Sequence, residues 1–565
     1  MRAPLVRFLL GPSKGSSLSC SGTAATGACA YRSWAATTPY SKPATAATAA
    51  TPPATEAPFK GIRASRNPFS SSASEGLKQP ENSSAAAVRA AVETLQEQLM
   101  AAAAEKRQRL QRIRAEYGAV KIGSVTPVNI IGGMRGLTAL LTETSVLDPE
   151  LGLRLHGTAM RQLLLQDLPK MQASHAYPSV EALLWFLLTS KVPTESEVSL
   201  LHRCLYEMTV PAAAATGSGA GAATAGDASA KAPTHLGSYT DERFVRVPTA
   251  VPAILDALPA DGHPMAAFAA AAAALSDFSF FRAVTGSGSV GKKEFWKPAL
   301  VDALALVARA AVTAAHIYRR KFGDGCVPCP DPKLDFAANF ARMLGLEGQQ
   351  HDELLRLYLL LHADHEGGNV SAHAAHLVGS ALADPFAAFA AGMGGLGGPL
   401  HGLANQMCLA WLRYVQRQLQ GSPPTKENIR EIAKATLKAG GVIPGFGHAV
   451  LRVTDPRFTL QREFALKHIQ HDPLFQLLEV VREVVPETLS GKVSNPYPNV
   501  DCHSGVLLQA FGLKQENFYT VLFGVSRSLG IAAQFVWARA LGLPIERPKS
   551  ITLNCLEQLC VGQKE

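Results

Sequence analysis

The chain has 565 residues, 47% of them hydrophobic, and a formal net charge of +9. That length suits about two to four domains with a large core, and no uninterrupted apolar run reaches the ~20 residues of a membrane-spanning helix. Nine basic and two acidic residues within positions 1–80 account for +7 of the charge, so the nearly neutral remainder offers no broad phosphate-binding face to nucleic acid.

Residues 1–85 open with "MRAPLVRFLLGPSKGSS" and continue rich in Ala, Ser and Thr. Arginines among small hydroxyl residues with few acids form an organellar transit signature, and "FLL" is too short for a secretory core. The leader is expected to be disordered and to address the chain to the mitochondrion, a plastid being the alternative. Cleavage is expected between about residues 35 and 85. Next, "AAVRAAVETLQEQLMAAAAEKRQRLQRIRAEYG" spaces Val, Leu and Met helically before a glycine stop, which predicts a helix over 86–118. "TPVNIIGGMRGL" (126–137) is the one β-like patch of note. From about 150 the period is helical almost throughout, so the fold class is mainly α. The glycine-rich stretch at 212–233 reads as a flexible surface insertion.

"CVPC" (326–329) is a lone CxxC without a second pair at zinc spacing, and the scattered cysteines suit reduced intracellular thiols. "HADHEGGNVSAHAAH" (362–376) is dense in metal-binding side chains. Yet Leu360 stands where a dinuclear hydrolase pattern needs histidine. His373 and His376 share a helix face without a carboxylate at HExxH spacing, and they read as packing residues. "GMGGLG" (392–397) satisfies G-x-G-x-x-G but follows a helical segment, so a dinucleotide site is not read there. Those glycines call for backbone close to a ligand, or for two segments crossing tightly. Three further turns hold isolated polar residues: His401 in "GGPLHGLANQ", His448 in "GGVIPGFGHAVLRVTDPRF" and Asp501 in "NPYPNVDCHSG".

With "HEGGNVSAH", "QREFALKH", "VLFGVSRSLG" and "WARALGLPIERPKS", these segments make the sequence resemble citrate synthases of the eukaryotic mitochondrial type, over about residues 90–551. The resemblance implies the citrate synthase fold, with a large helical domain at 86–402, a small one at 403–512 and a return to the first at 513–565. It implies condensation of acetyl-CoA with oxaloacetate and water to citrate and CoA, the first step of the tricarboxylic acid cycle, in the mitochondrial matrix. Asp501 would remove the acetyl methyl proton, His401 would hydrogen-bond the thioester carbonyl, and His448 would donate to the oxaloacetate carbonyl.

By the same resemblance, Arg457, Arg527 and Arg547 bind the oxaloacetate carboxylates beside His365. Arg547 comes from the neighbouring subunit, which implies a homodimer with shared active sites. Guanidinium forks match planar carboxylates better than ammonium groups do. Arg135, Arg452 and Lys492 are the implied CoA contacts, and neither a metal nor a cofactor is expected beyond the CoA substrates. Ser494 and Lys292 depart from the pattern, standing where a second lysine and an arginine are usual. The alternative within this chemistry is a 2-methylcitrate synthase using propionyl-CoA.

Overall fold

Two long helices, Trp296–Phe322 and Tyr519–Leu541, pack along each other at the centre of the protein. Every residue of the second is buried, as expected of a helix that is apolar on all sides. The computed structural model describes residues 83–211 and 235–562. The expected transit leader up to residue 82 and the glycine-rich insertion at 212–233 lie outside the described residues.

Scattered polar residues hid the length of these two apolar segments from the sequence reading. Lys292–Phe322 and Glu516–Leu541 are long and apolar enough to cross a membrane, but their apolar windows are 94% and 100% buried inside the protein. Their apolar surface goes to the core. Around them pack the helices Ser83–Tyr117, Val180–Thr189, Glu195–Thr209, Gln349–His362 and Pro385–Leu396. The first of these begins at Ser83 rather than at 86. A further group comprises Ala404–Leu419, Lys426–Lys438, Pro456–His468, Pro473–Leu489 and Asp501–Ala510, which pack largely on one another.

The β-like patch at 126–137 is not a strand. Pro127 sits in the first turn of a short helix, Pro127–Ile131, where its missing N–H costs nothing. The chain then turns through positive φ at Gly133, Met134 and Gly136. The described strands lie further on, in a small antiparallel sheet of β1 (Ser145–Asp148), β2 (Gly152–Leu155) and β3 (Thr158–Ala159), with Val146 opposite Arg154. Asp148 closes the first hairpin by accepting the Glu150 and Leu151 N–H groups on Oδ1.

The glycines of "GMGGLG" serve a crossing. Helix Pro385–Leu396 packs against helix Val370–Ser380 so closely that a Cβ on Gly392 would lie 2.7 Å from the Ser371 carbonyl oxygen. This holds in place the start of Val370–Ser380, which borders the site described next.

Candidate active site

The loop after helix Gln349–His362 is clamped from several sides. Asp364 Oδ1 accepts the His365 N–H (2.9 Å) and a Gln534 side-chain N–H (2.7 Å). Asn369 caps helix Val370–Ser380 through Oδ1 and donates from Nδ2 to the His365 and Glu366 carbonyls, both at 2.9 Å. His365 therefore projects from a fixed frame. Helix Tyr519–Leu541 supports the same loop at Gly530, whose N–H donates to the Ala363 carbonyl at 3.2 Å. A Cβ there would overlap that oxygen. Gly530→Ala is expected to push the loop and His365 away, costing about 1–3 kcal/mol of stability. A lowered melting temperature would show it.

Two turns that are distant in sequence form one unit. Gly447 donates to the Tyr497 carbonyl (2.8 Å), Asn499 donates through its backbone N–H to the Gly445 carbonyl (2.9 Å), and its side-chain amide donates to the Gly447 carbonyl (2.9 Å). Asn499 Oδ1 also accepts the Asp501 N–H at 3.0 Å, which sets the start of helix Asp501–Ala510. His448 and Asp501 are thus carried on paired turns. His448 Nδ1 accepts the N–H groups of Val450 and Leu451, both at 3.0 Å. That nitrogen carries no proton, so the neutral ring is protonated on Nε2. Nε2 lies 3.3 Å from Nε2 of His365.

His401 has the opposite tautomer. Its Nε2 accepts the backbone N–H of Ser371 at 3.2 Å, and the Ser371 hydroxyl stands 2.9 Å away, which leaves the ring proton on Nδ1.

Two buried arginines stand behind these groups. Arg457, at the start of helix Pro456–His468, forms a fork with Asp455 (Nη2–Oδ2 2.7 Å, Nε–Oδ1 3.0 Å). Asp455 Oδ2 also takes the Val500 N–H (3.3 Å), which ties Arg457 to the approach to Asp501. Arg527 donates to Asn369 Oδ1 (2.9 Å) and to the His362 carbonyl (3.2 Å), and its guanidinium lies 4.7 Å from the Phe523 ring centroid. Burial lowers its pKa to about 10, still protonated at neutral pH.

Protonation follows from this setting. Burial, reinforced by Arg527, pushes His401 down to about 4. Burial and then Arg457 do the same to His448, also to about 4. His365 is held well below its ordinary value by burial and the neighbouring Arg457. Burial raises Asp501 to about 6 against the pull of Arg457. At neutral pH the cluster therefore holds three neutral imidazoles, two guanidinium groups, the Asp455 carboxylate forked to Arg457, and the mostly ionised Asp501. His365, His401, His448 and Asp501 all remain partly exposed. Such an arrangement can hold a dianion, donate neutral hydrogen bonds to carbonyl oxygens and remove a weakly acidic proton.

The other expected residues lie at the surface. Arg547, Arg135, Arg452 and Lys492 are exposed. Arg452 donates to the Val450 (2.8 Å) and Leu451 (2.9 Å) carbonyls beside the His448 turn. The histidines of "HADHEGGNVSAHAAH" separate into three environments. His362 is buried and stacks on Tyr358 (centroids 4.2 Å apart), His365 meets His448, and His373 and His376 meet Glu546. Sequence reasoning passed over Asn369, Ser371 and Asp455. The N-cap pattern of Asp455 before Pro456 was an available signal for the last of these.

The family description "Citrate synthase, C-terminal domain" matches residues 133–549. Among curated relatives, "Citrate synthase 4, mitochondrial" of Arabidopsis thaliana is 47% identical over 468 residues, covering 82% of this chain and 90% of the relative. The chain belongs to the citrate synthase family. A relative named "Probable citrate synthase, mitochondrial" from Glossina morsitans morsitans is 45% identical, again over 82% of this chain and 92% of the relative. The solved citrate synthase of Pyrobaculum aerophilum superposes with a TM-score of 0.58 at 27% identity, covering 76% of this chain and 94% of that one. The fold is also similar (TM-score 0.56, 19% identity, 75% of this chain and 95% of that one) to a Thermoplasma acidophilum citrate synthase solved as a ternary complex of carboxymethyl coenzyme A and oxaloacetate. The mainly α citrate synthase fold expected from the sequence is the fold of the molecule. The activity is that of a citrate synthase, an acyltransferase that condenses acetyl-CoA with oxaloacetate and water to give citrate and CoA, the first step of the tricarboxylic acid cycle. Nothing in these relationships favours propionyl-CoA.

Proposed function

We propose that Asp501, His401 and His448 are the catalytic groups of this citrate synthase, and that His365, Arg457 and Arg527 receive oxaloacetate. The observation that carries this reading is the pair of imidazole tautomers. Each ring has one nitrogen already occupied by backbone N–H groups, so its single proton is committed to the other nitrogen.

In this reading Asp501 takes a methyl proton from acetyl-CoA while His401 Nδ1–H stabilises the charge developing on the thioester oxygen. The resulting enolate carbon attacks the oxaloacetate carbonyl carbon, whose oxygen receives the His448 Nε2 proton. Water then cleaves the citryl thioester, releasing citrate and CoA. A thioester methyl group is far less acidic than a carboxylic acid, so removal of its proton requires simultaneous stabilisation of the oxygen. Arg457 and Arg527 supply the positive charge that a dianion needs, from positions where desolvation strengthens it.

The small helical domain, 403–512, would carry His448 and Asp501 and close over 86–402 and 513–565, with His401 at the seam. The mutual packing of the helices between Ala404 and Ala510 supports this division. Closure would exclude water and favour oxaloacetate binding first. Exposed Arg135, Arg452 and Lys492 would meet the CoA phosphates. A second copy would supply Arg547 and cover apolar side chains left outside, such as Ile122 (83% exposed) and Val128 (76%). The site of action would be the mitochondrial matrix, in keeping with relatives named mitochondrial.

The deciding experiment is CoA release with oxaloacetate present or absent, in wild type and Asp501→Ala. Oxaloacetate-dependent release in the first and almost none in the second is expected; equal release would end the assignment. Release should persist after exhaustive chelation, because no step of this reading calls on a metal ion. Loss of activity with rescue by zinc would instead mean a metal hydrolase.

A further inference from the structure

We propose that Glu546 is a positioning residue that presents Arg547 to the oxaloacetate site of a second copy, an inference that rests on the role given to Arg547 above. From Pro544 to Ile551 the chain is exposed at every residue except Glu546. Among the described residues of that stretch, the hydrogen bonds and ion pairs all belong to Glu546. Its backbone N–H donates to Ser380 Oγ at 3.0 Å. One carboxylate oxygen takes Nδ1 of His376, and the other lies 3.3 Å from Nε2 of His373. The two histidines, three residues apart on helix Val370–Ser380, therefore grip one carboxylate from the far end of the sequence.

That helix also references the site. Its N-terminal turn holds Ser371, whose N–H sets the His401 tautomer, and its cap Asn369 accepts from Arg527. One rigid element thus fixes His401 and Arg527 of its own site and the base of the arm that carries Arg547 toward the second copy's site. Pro548 adds a second restriction, because the residue before a proline is confined to extended backbone. With Glu546 pinned and helical backbone disfavoured at Arg547, the point and direction at which the Arg547 side chain leaves the backbone are restricted before ligand arrives. Without the tether, that ordering would fall on the binding step. The loss should therefore appear in KM for oxaloacetate and spare kcat.

The test is a double-mutant cycle in the full-length enzyme, with kcat and KM for oxaloacetate measured at saturating acetyl-CoA. Glu546→Ala should raise KM about tenfold while leaving kcat within about threefold of wild type. Arg547→Ala should raise KM by about tenfold or more, and the double variant should exceed Arg547→Ala by no more than about twofold, because Glu546 acts through Arg547. An unchanged KM in Glu546→Ala, or two effects that multiply in the double variant, would overturn the inference alone. An unchanged KM in Arg547→Ala would remove the Arg547 assignment and this inference with it. Should Glu546→Ala fail to fold, Glu546→Gln replaces it. The two imidazoles meet different carboxylate oxygens, and an amide keeps an oxygen for only one of them, so KM should rise about threefold, and no change would again overturn the proposal.

Discussion

Asp501→Ala is expected to lower kcat for citrate formation by about a thousandfold or more, since general-base catalysis alone contributes about 10²–10⁴. The loss should fall on kcat and leave oxaloacetate binding nearly intact, because Arg457 and Arg527 are held by Asp455 and Asn369 rather than by Asp501. The wild-type pH profile should identify the same group. Burial raises Asp501 to about 6 in the ligand-free protein, and only its ionised form can accept a proton, so kcat/KM should fall as pH drops through about 6. His401 and His448, both near 4, stay neutral across that window and cannot produce the limb. A profile flat from pH 5 to 8 would remove Asp501 from the role of base.

The same carboxyl links function to stability. Its folded pKa, about 6, lies above the ordinary value of 3.8. Its favourable contribution to stability is thus fully present below the unfolded value and is lost as pH rises through the folded one. At neutral pH an ionised Asp501 burdens the ligand-free fold. Asp501→Asn should therefore melt higher than wild type at pH 8, with the difference shrinking toward pH 4, while condensation is lost. A lower melting temperature at pH 8 would mean that the carboxylate is held by partners rather than strained by burial.

His401→Ala should cost about 3–4 kcal/mol of transition-state stabilisation, a hundredfold to a thousandfold in kcat. The loss should already appear in exchange of the acetyl methyl protons with solvent, because the thioester oxygen must be stabilised while Asp501 takes the proton. His448→Ala provides the contrast. Methyl exchange should largely survive in it while carbon–carbon bond formation fails, since His448 serves the other carbonyl. If both variants lost exchange equally, the two imidazoles would not have separate oxygens to serve.

Helical periodicity in the segments beyond residue 150 was enough to identify the fold class, because packed helices leave a 3.6-residue apolar rhythm in the chain. Long local motifs around His365, His401, His448, Arg457, Asp501 and Arg527 were enough for a family resemblance, since all but Arg527, which lies within helix Tyr519–Leu541, sit in a turn or helix start with glycines or prolines close by in the chain. The "TPVNIIGGMRGL" patch misled because its apolar run looks like a strand, while Pro127 and the positive-φ residues at 133–136 impose a helical turn and a reversal.

Other features depend on groups far apart in the chain, and no local pattern encodes them. The proton on His401 is directed by the N–H of Ser371, thirty residues earlier. That on His448 is directed by two backbone N–H groups whose orientation depends on a turn paired with residues 497–499. His373 and His376 look like packing residues until Glu546, 170 positions beyond His376, comes to rest between them. Residue identity limits which chemistry is available. Which nitrogen donates, which carboxyl stays charged and which arm is held are matters of desolvation and of hydrogen bonds between distant segments, and these exist only once the chain has folded.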